Sequence, residues 1–286
     1  MATSTSQEDH WDSNAYQSSA SFVPKLATKV VSWMSVDKDD VILDLGCGDG
    51  VLNIQMAQVL ASGTTGRIHG VDSSAAMIEA AKEAAEKAGV SNICTFDVLD
   101  ATKVIYNPSL ANGSYNKVFS NAAMHWILTP EATRNDFFKG VHAALKPGGI
   151  FVFEMGGMGN CAEMRSTFLA LLAPRIGIEA ARAVDPWFFP DKEWMKTTLE
   201  ANSFQVEKLE LEYRPTKADK GGILGWSKLM GKQFFDAVEA KLGKEEREKC
   251  EREAASILKT VCASQTEGGG DYLGYVRLRG YAVKKA

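Results

Sequence analysis

A glycine cluster set between a short apolar run and a helical pattern constrains this chain more than any other feature. Val41-Ile42-Leu43-Asp44-Leu45 reads as a buried strand, Gly46-Cys47-Gly48-Asp49-Gly50 follows at once, and Val51 to Leu60 reads as a helix. A strand that turns through glycines into a helix lets a ligand approach the backbone at the carboxyl ends of a parallel sheet. Two ligand classes compete for such a turn. A dinucleotide fingerprint asks for a third glycine where this chain carries Val51. Asp44 and Asp49 would also set carboxylates beside a pyrophosphate, which Coulomb repulsion opposes. A ligand with an ammonium group and no phosphate suits the loop better.

The rhythm on either side of the loop supplies the fold class. Arg67 to Asp72, Asn92 to Asp97, Lys117 to Ser120 and Ile150 to Phe153 read as further strands. Between them lie the helical patterns Ala75 to Ala88, with Gly89 in the stop position, and Pro130 to Leu145, closed by Lys146-Pro147-Gly148-Gly149. Strand–helix alternation with short connections predicts an α/β fold, a parallel sheet with helices on both faces. Beyond Met155 the rhythm changes to two or three helical stretches, strands over Gln205–Tyr213 and Tyr275–Val283, and a long helical region between them. The charge run from Lys241 to Glu253 holds Glu245/Lys249 and Glu248/Arg252 at i,i+4, which reads as a solvated helix face.

Composition excludes several functions. Hydrophobic residues make up 45% of the 286 and charged ones 24%, the balance of a globular chain with a sizeable core. Lys and Arg number 32 against 36 acids, a formal charge of −4 that argues against a generic nucleic-acid binder, though not against a local basic pocket. Cysteines at 47, 94, 161, 250 and 262 show no C-x-x-C spacing, so neither a metal framework nor a disulfide ladder is expected. The polar amino-terminal stretch lacks the apolar core of a signal peptide, and no apolar run approaches a membrane span. A cytoplasmic protein with free thiols is the expectation.

The motif Asp44-Leu45-Gly46-Cys47-Gly48-Asp49-Gly50 resembles the first motif of class I S-adenosylmethionine-dependent methyltransferases, and the resemblance continues in order. Gly70-Val71-Asp72-Ser73-Ser74 ends the second strand in an acid 22 residues past Gly50, where the family binds the ribose hydroxyls. Phe96-Asp97-Val98-Leu99-Asp100-Ala101 matches the adenine motif, with Asp100 the better candidate and Asp97 the lesser. Leu145 to Gly149 is similar to the family's turn before the fifth strand. Val118 to Trp126, with Gly70 to Ile78, resembles trans-aconitate methyltransferases, and the His125-Trp126 pair also resembles juvenile-hormone-acid methyltransferases. Both groups make methyl esters of carboxylic acids. Trp11 to Tyr16 is similar to the leading segment that folds over the cofactor in the trans-aconitate enzymes.

These resemblances imply a Rossmann-like, seven-stranded, mostly parallel sheet with helices on both faces and helical lid insertions. Residues 1–36 would form an amino-terminal helical lid, 37–155 the cofactor-binding core, and 156–286 the substrate cap with the last strands. S-adenosylmethionine is the implied cofactor, leaving as S-adenosylhomocysteine, and a small molecule the implied acceptor. Cofactor contacts fall on Asp44, Gly46, Cys47, Gly48, Asp49, Gly50, Asp72, Ser73, Met77, Val98, Leu99, Asp100, Ala101, Asn121 and Tyr16, and acceptor chemistry on His125 and Trp126.

Plainer readings stand beside these. Asp72 precedes a helix and would serve equally as its cap. His125 reads as a donor that positions a carboxylate, as a base for a phenol or amine, or as a core histidine packed beside Trp126. Trp187, Phe188 and Phe189 pack the inserted helices or line a substrate wall, and Gly156, Gly157 and Gly159 hinge a lid or merely turn the chain. Arg165, Arg182 and Arg214 are candidates to hold a second carboxylate, although arginines so placed are usually solvated. His69 reads as structural, and Cys47 as a small side chain without a nucleophilic role. Beyond carboxyl methylation the fold admits O-, S- or N-methylation of a specialised metabolite, a cyclase that uses the cofactor without turnover, or a non-catalytic partner protein.

Overall fold

The computed structural model describes residues 27–218 and 221–285. The expected lid contacts of Trp11 and Tyr16, and most of the 1–36 segment, lie outside the described residues. Seven strands form one sheet: β1 (Val41–Leu45), β2 (Arg67–Asp72), β3 (Cys94–Val98), β4 (Tyr115–Asn121), β5 (Leu145–Gly156), β6 (Phe204–Lys217) and β7 (Tyr272–Lys284). Their spatial order is β3-β2-β1-β4-β5-β7-β6, with β7 antiparallel to both neighbours and the other pairings parallel. This is the Rossmann-like sheet that the sequence implied.

Burial follows the two-residue period of a strand. Ile42, Phe119 and Val152 pack on one face beneath α1 (Thr28–Met34), α2 (Val51–Leu60) and α3 (Ala75–Lys87). Leu43, Val118, Phe151 and Phe153 turn to the other face, under α5 (Arg134–Ala144) and α8 (Lys192–Ala201), which contribute Phe137, Phe138, Met195 and Leu199. All five residues of β1 are buried because it has parallel neighbours on both sides and helices on both faces. The short α4 (Met124–Ile127) follows β4 directly.

A third core belongs to the cap. α6 (Ala162–Ile176), α7 (Ile178–Ala183), α9 (Gly222–Met230), α10 (Lys232–Leu242) and α11 (Lys244–Cys262) bury Phe168, Leu172, Phe234, Phe235, Val238 and Leu258 together. Gly243, at φ 87° and ψ 171°, a positive-φ conformation that favours glycine, divides the long helical region between α10 and α11. The charge run there is only partly a solvated face. Arg247 bonds Asp236, Glu239 and Glu251, and Arg175 of α6 bonds Glu246 and Glu253, so the run ties α11 to its neighbours. Of the anticipated i,i+4 pairs, Glu248/Arg252 forms at 3.9 Å while Lys249 turns to Glu246 instead.

At the junction of sheet and cap sits a buried charge cluster. Glu154 of β5 is 2% exposed, and three arginines surround it: Arg214 from β6, and Arg277 and Arg279 from β7. Arg279 also bonds Glu210 and Glu212, and Lys29 of α1 joins them through Glu210. Three arginines and one lysine thus face three glutamates.

Candidate active site

A cavity of about 680 Å³ opens where β1, β2 and β4 end and the cap begins. Its floor is the glycine loop. Gly46 holds φ +77°, and a Cβ there would lie 2.2 Å from that of Ala123, so this position admits glycine alone. The Gly46 and Cys47 amides both donate to the Val71 carbonyl, at 2.8 and 3.1 Å, fixing the loop to β2. Asp72 braces it from the side: one carboxylate oxygen accepts from the Gly48 amide at 3.0 Å, the other from Ser74 at 2.9 Å. Ser74, not Asp72, caps α3, its hydroxyl accepting from the Met77 amide. The cap and ligand roles weighed for Asp72 are thereby separated.

Asp44 is the most unusual group on this side. It is 2% exposed, and its Oδ1 has no hydrogen-bond partner among the described residues. Burial, reinforced by the nearby Asp72 charge and only partly offset by Asn53, pushes its pKa up to about 8. The same burial, with Asp44 and Asp72 close by, holds Cys47 as a thiol. Asp100 accepts from the Thr102 amide and hydroxyl and starts the short 3₁₀ turn Ala101–Tyr106.

On the opposite side stands His125 in α4. Its Nδ1 accepts from the Gly156 amide at 3.4 Å, its carbonyl accepts from Phe188 N and Thr129 Oγ1, and its ring centroid lies 5.6 and 5.7 Å from those of Trp126 and Phe189. Because Nδ1 accepts, the proton resides on Nε2. Burial first, and the Arg277 charge second, depress its pKa to about 3, so the ring is neutral throughout the physiological range. Ala122, between β4 and α4, has φ +56°, a left-handed conformation that a non-glycine residue adopts only when its surroundings impose it. Its amide donates to the Glu154 carbonyl at 2.7 Å, and this turn delivers Asn121, Ala123 and His125 to the cavity.

Of the residues expected from sequence, Asp44, Gly46, Cys47, Gly48, Asp49, Asp72, Ser73, Met77, Leu99, Asp100, Ala101, Asn121, His125 and Trp126 line this one cavity. Gly50 and Val98 do not. Gly50 is the left-handed residue before α2, facing Phe96, and Val98 lines a second cavity. Asp97 lies there too, 3.5 Å from His69, which also bonds Thr95 across the strands. The aromatic run divides: Trp187 and Phe189 line the main cavity, while Phe188 packs on Arg134 and Trp194. Gly156 is a close-approach position, where a Cβ would meet the Phe189 ring at 2.5 Å.

Arg165 and Arg182 bond Asp185 and Glu179, Arg214 bonds Glu154, and none of the three lines the cavity. The arginine that does is Arg277, together with Tyr275, Trp226 and Lys232. Two arginines alternating with Leu278 inside an apolar strand, Arg277-Leu278-Arg279, were the available signal. Their place became readable only with β7 known to be internal to the sheet.

A Rossmann-like sheet with an acid-rich glycine loop and a capped cavity defines a class, and comparison with known proteins narrows it. Residues 36–175 match the methyltransferase-domain family. An uncharacterised methyltransferase of Schizosaccharomyces pombe is 37% identical over 231 residues, 80% of this chain and 84% of that one. A trans-aconitate 2-methyltransferase of an Azoarcus species is 26% identical over 239 residues, 80% and 83% of the two chains. The YcgJ protein of Bacillus subtilis superposes with a TM-score of 0.58 at 14% identity, covering 92% of this chain and 99% of the other. The chain belongs to the class I S-adenosylmethionine-dependent methyltransferases.

Proposed function

We propose that this protein methylates the carboxylate of a small organic acid, giving its methyl ester. The observation that carries the reading is the state of His125. A ring whose Nδ1 is taken by the Gly156 amide, and whose pKa is held near 3, offers an Nε2–H to donate and no site from which to accept the proton of a phenol or amine. The acceptor it suits arrives already ionised, as a carboxylate does at neutral pH. The resemblance to a trans-aconitate 2-methyltransferase points the same way.

S-adenosylmethionine, when bound, supplies an activated methyl on a sulfonium. The cavity residues fit it. The buried, unpartnered Oδ1 of Asp44 suits its ammonium, the Gly46–Gly50 backbone its methionine portion, Asp72 the ribose and Asp100 the adenine amino group. His125 and Asn121 stand where the acceptor would meet the methyl, and Trp126, Trp187 and Phe189 exclude water from that end. In the reaction an oxygen–methyl bond forms and the methyl–sulfur bond breaks, its electron pair staying with sulfur. No proton moves. No helix among the described residues is long and apolar enough to cross a membrane, and the five free cysteines suit a reducing cytoplasm.

Incubating the protein with S-adenosylmethionine and a panel of carboxylic acids, phenols and amines tests this by mass spectrometry. Acids should gain one CH₂ in mass as S-adenosylhomocysteine accumulates. Methylation confined to phenols or amines would overturn the ester reading, and conversion of an acceptor without S-adenosylhomocysteine would favour a cyclase.

A further inference from the structure

Among the described residues, Arg277 is a buried charge that the fold leaves incompletely paired. It is 3% exposed, yet its buried Nε has no hydrogen-bond partner among the described residues. Its nearest carboxylate oxygen, on Glu154, stands 3.6 Å from Nε, and that glutamate already bonds Arg279 and Arg214. Arg279 also donates from Nη1 to Glu210 and Glu212. Among the described residues the cluster, with Lys29 included, sets four cations against three glutamates, and Arg277 is the member that borders the cavity. Burying a cation whose donors go unused costs several kcal/mol unless an anion completes it. Among the described residues the one carboxylate near it is Glu154, which it shares with two other arginines.

Its position indicates what completes the pairing. Arg277 pairs with Gly156 across the β5–β7 register, and the Gly156 amide is the group that bonds His125 Nδ1. The guanidinium is close enough for its charge to act on the His125 ring, and both line the same cavity. Tyr275, two residues earlier on the same strand face, sets its ring centroid 4.5 Å from the guanidinium carbon, a cation–π contact. The cavity wall here is aromatic: Trp126, Trp187, Phe189 and Trp226.

We propose that Arg277 is the acceptor-binding residue: it receives the carboxylate that is methylated, while the acid's apolar body lies against the tryptophan wall. This rests on the ester reading for the fate of the carboxylate, but not for its binding. The arrangement has a built-in release. Methylation converts the anion to a neutral ester, so the pairing that holds the substrate does not hold the product. Lys232, the other cation lining the cavity, is paired with Asp236, so Arg277 is the charge left to an acid, which selects a monoacid over a polyacid that would bury further carboxylates unpaired.

The test uses full-length protein saturated with S-adenosylhomocysteine, with binding followed by calorimetry and no turnover. The probes are hydrocinnamate, decanoate and trans-aconitate, with the primary amide and methyl ester of the first two. Wild type should bind hydrocinnamate or decanoate at least ~10-fold more tightly than their amides or esters. Arg277→Gln should erase that preference while leaving S-adenosylhomocysteine affinity unchanged, Arg277→Lys should recover part of it, and Arg182→Gln should change nothing. The proposal is overturned if the amides match the acids in wild type, if Arg277→Gln keeps the preference, if no acid binds, or if trans-aconitate binds best. Should the Gln variant fail to fold, the acid-against-amide comparison in wild type decides alone. Two further outcomes separate this inference from the ester reading. Ester formation with an unaltered KM in Arg277→Gln would sink the inference and spare the reading. Acids that bind through Arg277 yet are never methylated would do the reverse.

Discussion

On one side of the cavity the walls come from three short stretches of chain, Asp44–Asp49, Asp72–Met77 and Leu99–Thr102, each at the end of a strand. On the other they come from single residues of α4, the segment before α8, α9, α10 and β7, scattered over some 150 positions between His125 and Arg277. The loop side works through backbone amides and carboxylates, with geometry set by glycine conformations and three aspartates. The cap side works through large side chains whose positions depend on how five helices pack. A group held by the first side is fixed by local sequence. One held by the second is fixed only by the finished fold, so the cap can change its acceptor while the loop stays as it is.

The sharpest way to break this division is to damage the loop and ask whether the cap notices. Gly46→Ala forces a left-handed alanine and a Cβ 2.2 Å from that of Ala123. Together these should weaken S-adenosylhomocysteine binding by ~10²-fold or more in calorimetry. Asp72→Ala removes the acceptor of the Gly48 and Ser74 amides as well as the proposed ribose contact. Affinity should fall by about 1.5–3 kcal/mol. Unchanged affinity would take Asp72 out of the site, and loss of intrinsic acid binding in the cofactor-free protein would deny the independence of the two sides.

Asp44 gives a pH signature confined to the loop side. Its pKa is raised to about 8, so the ligand-free protein loses this group's contribution to stability as pH rises from the ordinary carboxylate range through about 8. Binding an ammonium ligand draws out the ionised form and releases a proton. Affinity should therefore strengthen up to ~10-fold from about pH 6 to pH 7, then level off near 8 as the ligand's own amine deprotonates. Asp44→Asn should bind more weakly and with a much flatter profile. Proton release measured in buffers of different ionisation enthalpy checks the sign.

His125 should give the smallest effect, and on the cap side alone. With its pKa near 3, the ring adds no acidic limb to the rate profile between about pH 5 and 8. It does make the fold less stable as pH falls below the ordinary histidine range, because the unfolded chain takes up a proton that the folded ring refuses. His125→Asn, which still donates, should keep turnover within ~3-fold, and His125→Ala should lose more. A rate that drops as the pH falls through about 6.5, and only when His125 is present, would restore the base role.

The same contrast explains what the sequence could tell. Val41–Leu45 announces a central strand because four of its five residues are apolar, as covered faces and edges demand, and Asp44 with the glycines after it announces the loop. Asp44, Asp72 and Asp100 were readable because each ends or follows a strand at a spacing set by the sheet. Arg277 was not, since its meaning lies in Glu154, 123 residues earlier, and in a strand order that puts β7 between β5 and β6. The split of Trp187, Phe188 and Phe189 was equally hidden, because an irregular segment carries no period to say which way each ring points. Val98 shows the opposite failure. It stands in the motif beside Leu99 and Asp100, yet it is exposed and lines the second cavity, not the first.

The internal position of β7 also sets an order of events. β5 and β6 do not pair with one another; each pairs with a strand that begins at Tyr272. During synthesis, β1 to β4 and the glycine loop can assemble while both later strands still have open edges and Glu154 is buried without Arg279. Contacts that span more than a hundred residues form slowly, so the sheet is sealed in a late step that delivers the anion-binding arginine with it. A nascent chain would thus acquire the loop well before it could discriminate among acids. Shortening the chain ahead of Tyr272 would yield an adhesive, half-finished sheet rather than a smaller enzyme.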